Sequence, residues 1–161
     1  VEARDYILKK LVQKEIDLGM STFLAEFEDI IHDFTQQIME LNEDDFNMKL
    51  GPDKWSKKEI LGHLVDSAFV NYGRFIRAQF EENPKIYYDQ VAYCSSADYQ
   101  HAETVKLCNL WRSVNEQLLF LFQHIIANKL TQRTCNDHSL EFLMHDYVMH
   151  LKHHRNQILP E

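Results

Sequence analysis

Apolar residues recur at three- and four-residue intervals through most of this chain, the spacing that lines one face of an α-helix. In residues 1–18 they are Ile7, Leu8, Leu11, Val12, Ile16 and Leu18. Gly19 reads as a stop, and Ser21 or Thr22 as the cap of a new helix. A second periodic segment, residues 21–41, carries Phe23, Phe27, Ile30, Ile31, Phe34 and Ile38. Gly51-Pro52 then breaks the pattern. Ser56 followed by Glu59 has the spacing of a capping box, which predicts a helix from Ser56 to about Glu81. Asn83-Pro84 ends it. Residues 84–100 are rich in tyrosine and aperiodic, and read as a long ordered connection of the kind that often carries function. Further helices fit residues 101–128 and 139–159.

Strand alternation does not appear. The pattern therefore predicts an all-α protein, a four-helix bundle with a long connection between its second and third helices. Residues 1–20 are assigned to an N-terminal extension, expected to be helical, and 21–161 to the bundle domain. The extension could pack outside the bundle as a fifth helix or serve as an oligomer contact, and the sequence does not choose.

Composition narrows the function classes. The chain has 161 residues, 45% of them hydrophobic, and a formal net charge of −8. Its lysines and arginines are scattered, which argues against nucleic acid as a partner, since that binding rests on phosphate neutralisation. No apolar run approaches the ~18–20 residues of a membrane span, so a cytoplasmic location is expected. Cys94, Cys108 and Cys135 are few and widely spaced, which predicts reduced thiols without a disulfide framework. Trp55 and Trp111 read as core residues, and Cys94 as a passive thiol. Histidine is the exception: there are nine, and His145, His150, His153 and His154 fall within ten residues.

His150 and His154 are four residues apart, so they share a helix face. On a helical wheel they lie at the edge of the stripe formed by Leu143, Met144, Tyr147, Val148 and Leu151, whereas His145 and His153 point elsewhere. Two imidazoles one turn apart can hold zinc, nickel or a similar ion. An HxxxH pair is more often two surface histidines or satisfied core ones, and a site would need a third ligand. His32, His63, His101, His124 and His138 are all candidates by position. His63 shares a stripe with Glu59, Ser67 and Arg74, which is either a solvated face or the mouth of a pocket between helices.

Two runs carry a resemblance that goes further. KWSKKEILGHLVDSAFVNYGRF, residues 54–75, resembles the second-helix signature of the DinB-like superfamily of metal-binding four-helix bundles. YVMHLKHHRNQI, residues 147–158, resembles the fourth-helix signature of that superfamily. The resemblance implies an up-down-down-up bundle and makes His63, His150 and His154 the ligands of a divalent metal ion, zinc or nickel. Asp66-Ser67, Asn71, Arg74-Phe75, Pro84 and Tyr88-Asp89 are similar to the YfiT-like branch, whose members are described as metal-dependent hydrolases. Asn156-Gln157 departs from that branch and leaves the substrate open.

The resemblance implies a small-molecule substrate and either hydrolysis or transfer to a low-molecular-weight thiol of the bacillithiol type. A homodimer is compatible with it, although no readable feature fixes an interface. It also places Asp89 on the loop beside the metal as a catalytic candidate, against a plainer role organising a turn. Arg74 is a candidate contact for an anionic substrate group or, equally, a partner in a surface or structural ion pair, and Asp66 is a second-tier site candidate. A non-catalytic metal-binding or stress-response scaffold is the alternative. Neutral imidazole is the ligand form, so metal occupancy is expected to fall below about pH 6.

Overall fold

The computed structural model is described over residues 2–160, with side chains from Lys10 to Pro160. Four long helices make the bundle: α1 (Glu2–Met39), α3 (Lys57–Arg77), α5 (Thr104–Ala127) and α6 (Leu140–Ile158). Two short helices, α2 (Glu43–Asn47) and α4 (Gln90–Ala97), and one 3-10 turn (Tyr99–His101) sit in the connections. A two-residue hairpin, β1 (Thr134–Cys135) and β2 (His138–Ser139), precedes α6. Such strands are too short to show alternation in sequence. Their turn uses Asn136 and Asp137, both in the left-handed region, as a tight hairpin requires.

Helix directions follow from which residues meet. Phe34 packs on Trp111 and Phe27 on Phe122, so α1 and α5 run opposite ways. Lys58 reaches the Ala102 carbonyl and Phe75 packs on Phe122, so α3 and α5 run the same way. Phe27 meets Tyr147 and Gln37 accepts from Arg155, which makes α6 parallel to α1. The bundle is thus up-down-down-up. Its centre is aromatic, with Phe27, Phe34, Phe75, Trp111 and Phe122 fully buried. A buried polar bridge crosses it: the Tyr147 hydroxyl donates to Asn115 Oδ1 at 2.6 Å.

The stop expected at Gly19 is not there. α1 runs unbroken through Gly19, about 57 Å at 1.5 Å per residue. A helical glycine costs roughly 1 kcal/mol, which does not end a helix whose next turns bury Met20, Phe23 and Phe27. Thr22 behaves as an interior residue, donating its hydroxyl to the Leu18 carbonyl at 3.0 Å instead of capping a new start. The expected extra helix is therefore the first half of α1. Leu11, Val12, Ile16 and Leu18 are exposed on it, and the side chains of Ile7 and Leu8 lie outside the described residues.

The capping box at Ser56 forms as the sequence requires. Ser56 Oγ accepts from the Glu59 amide at 3.1 Å, and Glu59 Oε2 accepts from the Ser56 amide at 2.8 Å. The connection after α3 is held at several points. Arg74 donates twice to the Ile86 carbonyl, at 3.1 and 2.9 Å. Asn136 exchanges a pair of hydrogen bonds with the Ile86 backbone, at 2.7 and 2.9 Å. Further on, the Tyr99 hydroxyl donates to buried Asp66 at 2.6 Å. Tyr99 lies directly on α3 because Gly62 leaves room: a Cβ there would sit 2.1 Å from the Tyr99 ring.

Gly62→Ala should therefore displace Tyr99, break its bond to Asp66 and cost about 1–3 kcal/mol by overpacking, despite alanine's better helix propensity. Urea unfolding checks this, and an unchanged or raised midpoint would mean that the Tyr99 packing is slack.

Candidate metal centre

His63, His150 and His154 come together where α3 crosses α6. Antiparallel packing of the two helices sets residue 63 opposite the pair 150/154. One ligand nitrogen from each ring lies within 4.8 Å of the other two. His63 Nε2 and His150 Nε2 are 3.2 Å apart. Two nitrogens held about 2.0–2.1 Å from one tetrahedral ion would be about 3.3 Å apart, so the spacing fits a shared divalent ion. The other candidates for a third ligand, His32, His101, His124 and His138, are all exposed and outside the cluster.

The polar stripe on α3 faces inward. His63 is fully buried, and Ser67, Asn71 and Asp66 are less than a tenth exposed. His150 and His154 are half-buried, which leaves one side of the cluster open. Trp55, expected in the core, is half-buried and lies against the His63 ring with centroids 5.1 Å apart. Trp111 is in the core as expected.

Burial keeps the rings neutral. Desolvation first, then the nearby His154 and His150, pushes the His63 pKa down to about 4. His150 is also lowered to about 4, by desolvation and then His154, with Asp146 pulling the other way. His154 is lowered by desolvation and partly restored by its hydrogen bond to Gln157. That bond, His154 Nδ1 to Gln157 Oε1 at 2.7 Å, puts the proton on Nδ1 and frees Nε2 to face the cluster. His63 Nδ1 is buried without a hydrogen-bond partner, so packing against Trp55 orients that ring.

Beside His150 the stripe continues into a cleft of about 190 Å³, lined in part by Ser67, Asn71, Arg74, Tyr88 and Asp146. Arg74 thus reaches the site region while also bracing the connection. Asp89 does not line the cleft. Its Oδ1 accepts from the Val91 and Ala92 amides, both at 3.0 Å, which makes it the N-cap of α4. The turn-organising role is the one its geometry displays. Asp66 is turned to Tyr99, and desolvation holds its carboxyl above the usual range. All three cysteines are buried and unpaired, and desolvation raises the Cys94 thiol to about 11, as suits a passive thiol.

Sequence reasoning misses two contributors. Gln157 stands out there only as a departure from the YfiT-like pattern, although its place three residues after His154 on the helix is a readable signal. Nothing in the sequence marks Trp55 as the wall behind His63.

The arrangement is that of a family. The chain belongs to the DinB superfamily, whose sequence profile matches residues 26–158. The fold is also that of YfiT from Bacillus subtilis, described as "a probable metal-dependent hydrolase with an unusual four-helix bundle topology". That similarity has a TM-score of 0.76 at 21% identity and covers 86% of this chain and 83% of the other. A protein of Bacillus cereus (strain G9842) named "Putative metal-dependent hydrolase" is 31% identical over 67 residues, 42% of this chain and 39% of its own length. A Bacillus anthracis (strain A0248) protein of the same name is 30% identical over a stretch of the same size. The matched stretch thus spans about two-fifths of these relatives.

The lowered histidine pKa values set a pH window. The unfolded chain takes up protons near 6.5, whereas folded His63 and His150 resist them to about 4. Stability of the metal-free protein from these groups is complete above about 6.5 and is lost as pH falls towards 4. Proton NMR titration should find both rings titrating near 4. Midpoints near 6.5 would show that water reaches the cluster freely.

Proposed function

We propose that the protein is a metal-dependent hydrolase acting on a small molecule, with His63, His150 and His154 holding one divalent ion, zinc or nickel. The observation that carries this is the convergence of three neutral imidazoles, one fully buried and two half-buried, with ligand nitrogens spaced for one ion. Three protein ligands and an open side are the pattern of a catalytic site more than of a closed structural one. When bound, such an ion supplies Lewis acidity and acidifies water to a pKa near about 7, which gives a nucleophile at neutral pH. The names of the relatives point the same way.

The chain's own residues do the rest. Gln157 fixes the His154 tautomer, and Trp55 shields the His63 ring from solvent. Arg74, at the cleft wall, offers its unused donors to an anionic part of the substrate. Asp89 caps its helix and is given no proton-transfer role. Transfer to a low-molecular-weight thiol is the second reading, because a soft ion in an open three-histidine site favours thiolate.

Elemental analysis of tag-free protein should give about one zinc, nickel or similar ion per chain, lost in His63→Ala and in His154→Ala. His150→Ala should abolish hydrolysis while the helical circular dichroism stays. Gln157→Ala should weaken metal affinity about 10–100-fold without displacing a ligand. Because burial opposes protonation of His63 and His150, the ion should be retained below pH 6, where free imidazole would release it. Wild-type protein that binds no ion after incubation with excess metal and dialysis would overturn the proposal.

A further inference from the structure

The cleft beside His150 is divided in charge. Arg74 and Asp146 both line it, one on α3 and the other on α6, yet they form no ion pair with each other. Among the described residues Asp146 makes no hydrogen bond or salt bridge, and its one interaction is the charge effect that raises the His150 pKa. Arg74 spends Nε and one Nη2 proton on the Ile86 carbonyl and contacts Asn71 Oδ1 from Nη1 at 3.3 Å. Its remaining donors are unspent. The surface between the two charges is neutral and polar, with the hydroxyls of Ser67 and Tyr88 and the Asn71 amide. A surface so divided suits a ligand that carries both a positive and a negative charge.

Resting on the three-histidine reading, we propose that this cleft binds a zwitterion of the amino-acid class, as the charged end of the substrate. The carboxylate meets Arg74, whose planar fork matches it. The ammonium meets Asp146. The volume of about 190 Å³ is ample for a small amino acid. The attached group, and with it the bond to be cut, is thereby directed past His150 towards the three histidines. Neither charge is buried deeply, so binding of the small zwitterion alone is expected to be weak.

The test is isothermal titration calorimetry on zinc-loaded protein with L-alanine and glycylglycine, and with propionate and ethylammonium as analogues lacking one charge. Both zwitterions should bind at millimolar concentration, and each single-charge analogue at least about tenfold more weakly. Asp146→Asn should weaken L-alanine binding about tenfold while leaving propionate unaffected, and Arg74→Lys should weaken both. Asp146 is exposed and unbonded, so its variant cannot fail merely by unfolding. No binding of either zwitterion, equal binding of propionate, or affinities unchanged in both variants would overturn the proposal. The last result would mean that the amino acids only chelate the ion. Metal content measured on the same samples separates the two readings: one ion per chain with no selectivity sinks the cleft alone, and no ion sinks the three-histidine centre with it.

Discussion

The site depends on the antiparallel crossing of α3 and α6. An imidazole that must stay neutral is most secure out of water, yet a buried polar ring without a partner is costly. The crossing answers both demands by placing one buried histidine against two that are half-exposed. It also explains why a stripe of Glu59, His63, Ser67, Asn71 and Arg74 is tolerated on an inward face. At one end Glu59 is spent on the capping box, and at the other Arg74 is spent on the Ile86 carbonyl. Between them, His63 Nδ1 is buried without a hydrogen-bond partner, while Asn71 donates to Ser67.

The connection from residue 84 to 102 is the second wall, and it is fixed at points spread along its length. Arg74 and Asn136 hold Ile86, Asp66 holds Tyr99, and Ser56 donates to Gln100. These anchors come from α3, from its cap, and from the hairpin before α6, so the helix that carries His63 also positions the loop. Gly62 shows how closely the two are coupled. The Tyr99 ring occupies the space of the missing side chain, one residue before His63. A disturbance of the loop would reach the His63 backbone without crossing any other element.

Most of the helical plan was legible in the sequence because apolar periodicity and caps report on the same boundaries. Ser56 and Ser139 both cap helices where the pattern began. Gly19 stands where a C-cap glycine would, but the helix continues because the turns that follow it bury Met20, Phe23 and Phe27. The spacing of His150 and His154 was legible, since both lie on one helix. That His63 joins them was not, because a polar stripe reads alike whether it faces solvent or a site. The resemblance pointed to His63, and only the crossing shows why a polar face is turned inward. Asp89 illustrates the opposite case: the resemblance suggests chemistry there and its place after Tyr88 a turn, and its carboxylate accepts from two helix amides. The short α2 leaves no periodic signal because Phe46, which it buries completely, is a single apolar residue in an acidic run.

Charge links the centre to its surroundings. Three neutral ligands do not offset a divalent ion, so the missing negative charge has to come from solvent, from Asp146 or from the ligand. A fully anionic substrate would approach a chain of net charge −8 against repulsion that screening weakens only beyond roughly 8–10 Å. A zwitterion carries no net charge and escapes most of that penalty. It still presents a carboxylate to Arg74 once inside the cleft, and its ammonium relieves the one carboxylate there that has no partner. The combination of an acidic exterior, an uncompensated three-histidine centre and an unpaired Arg74–Asp146 couple is therefore consistent with recognition of a ligand that is charged locally but neutral overall.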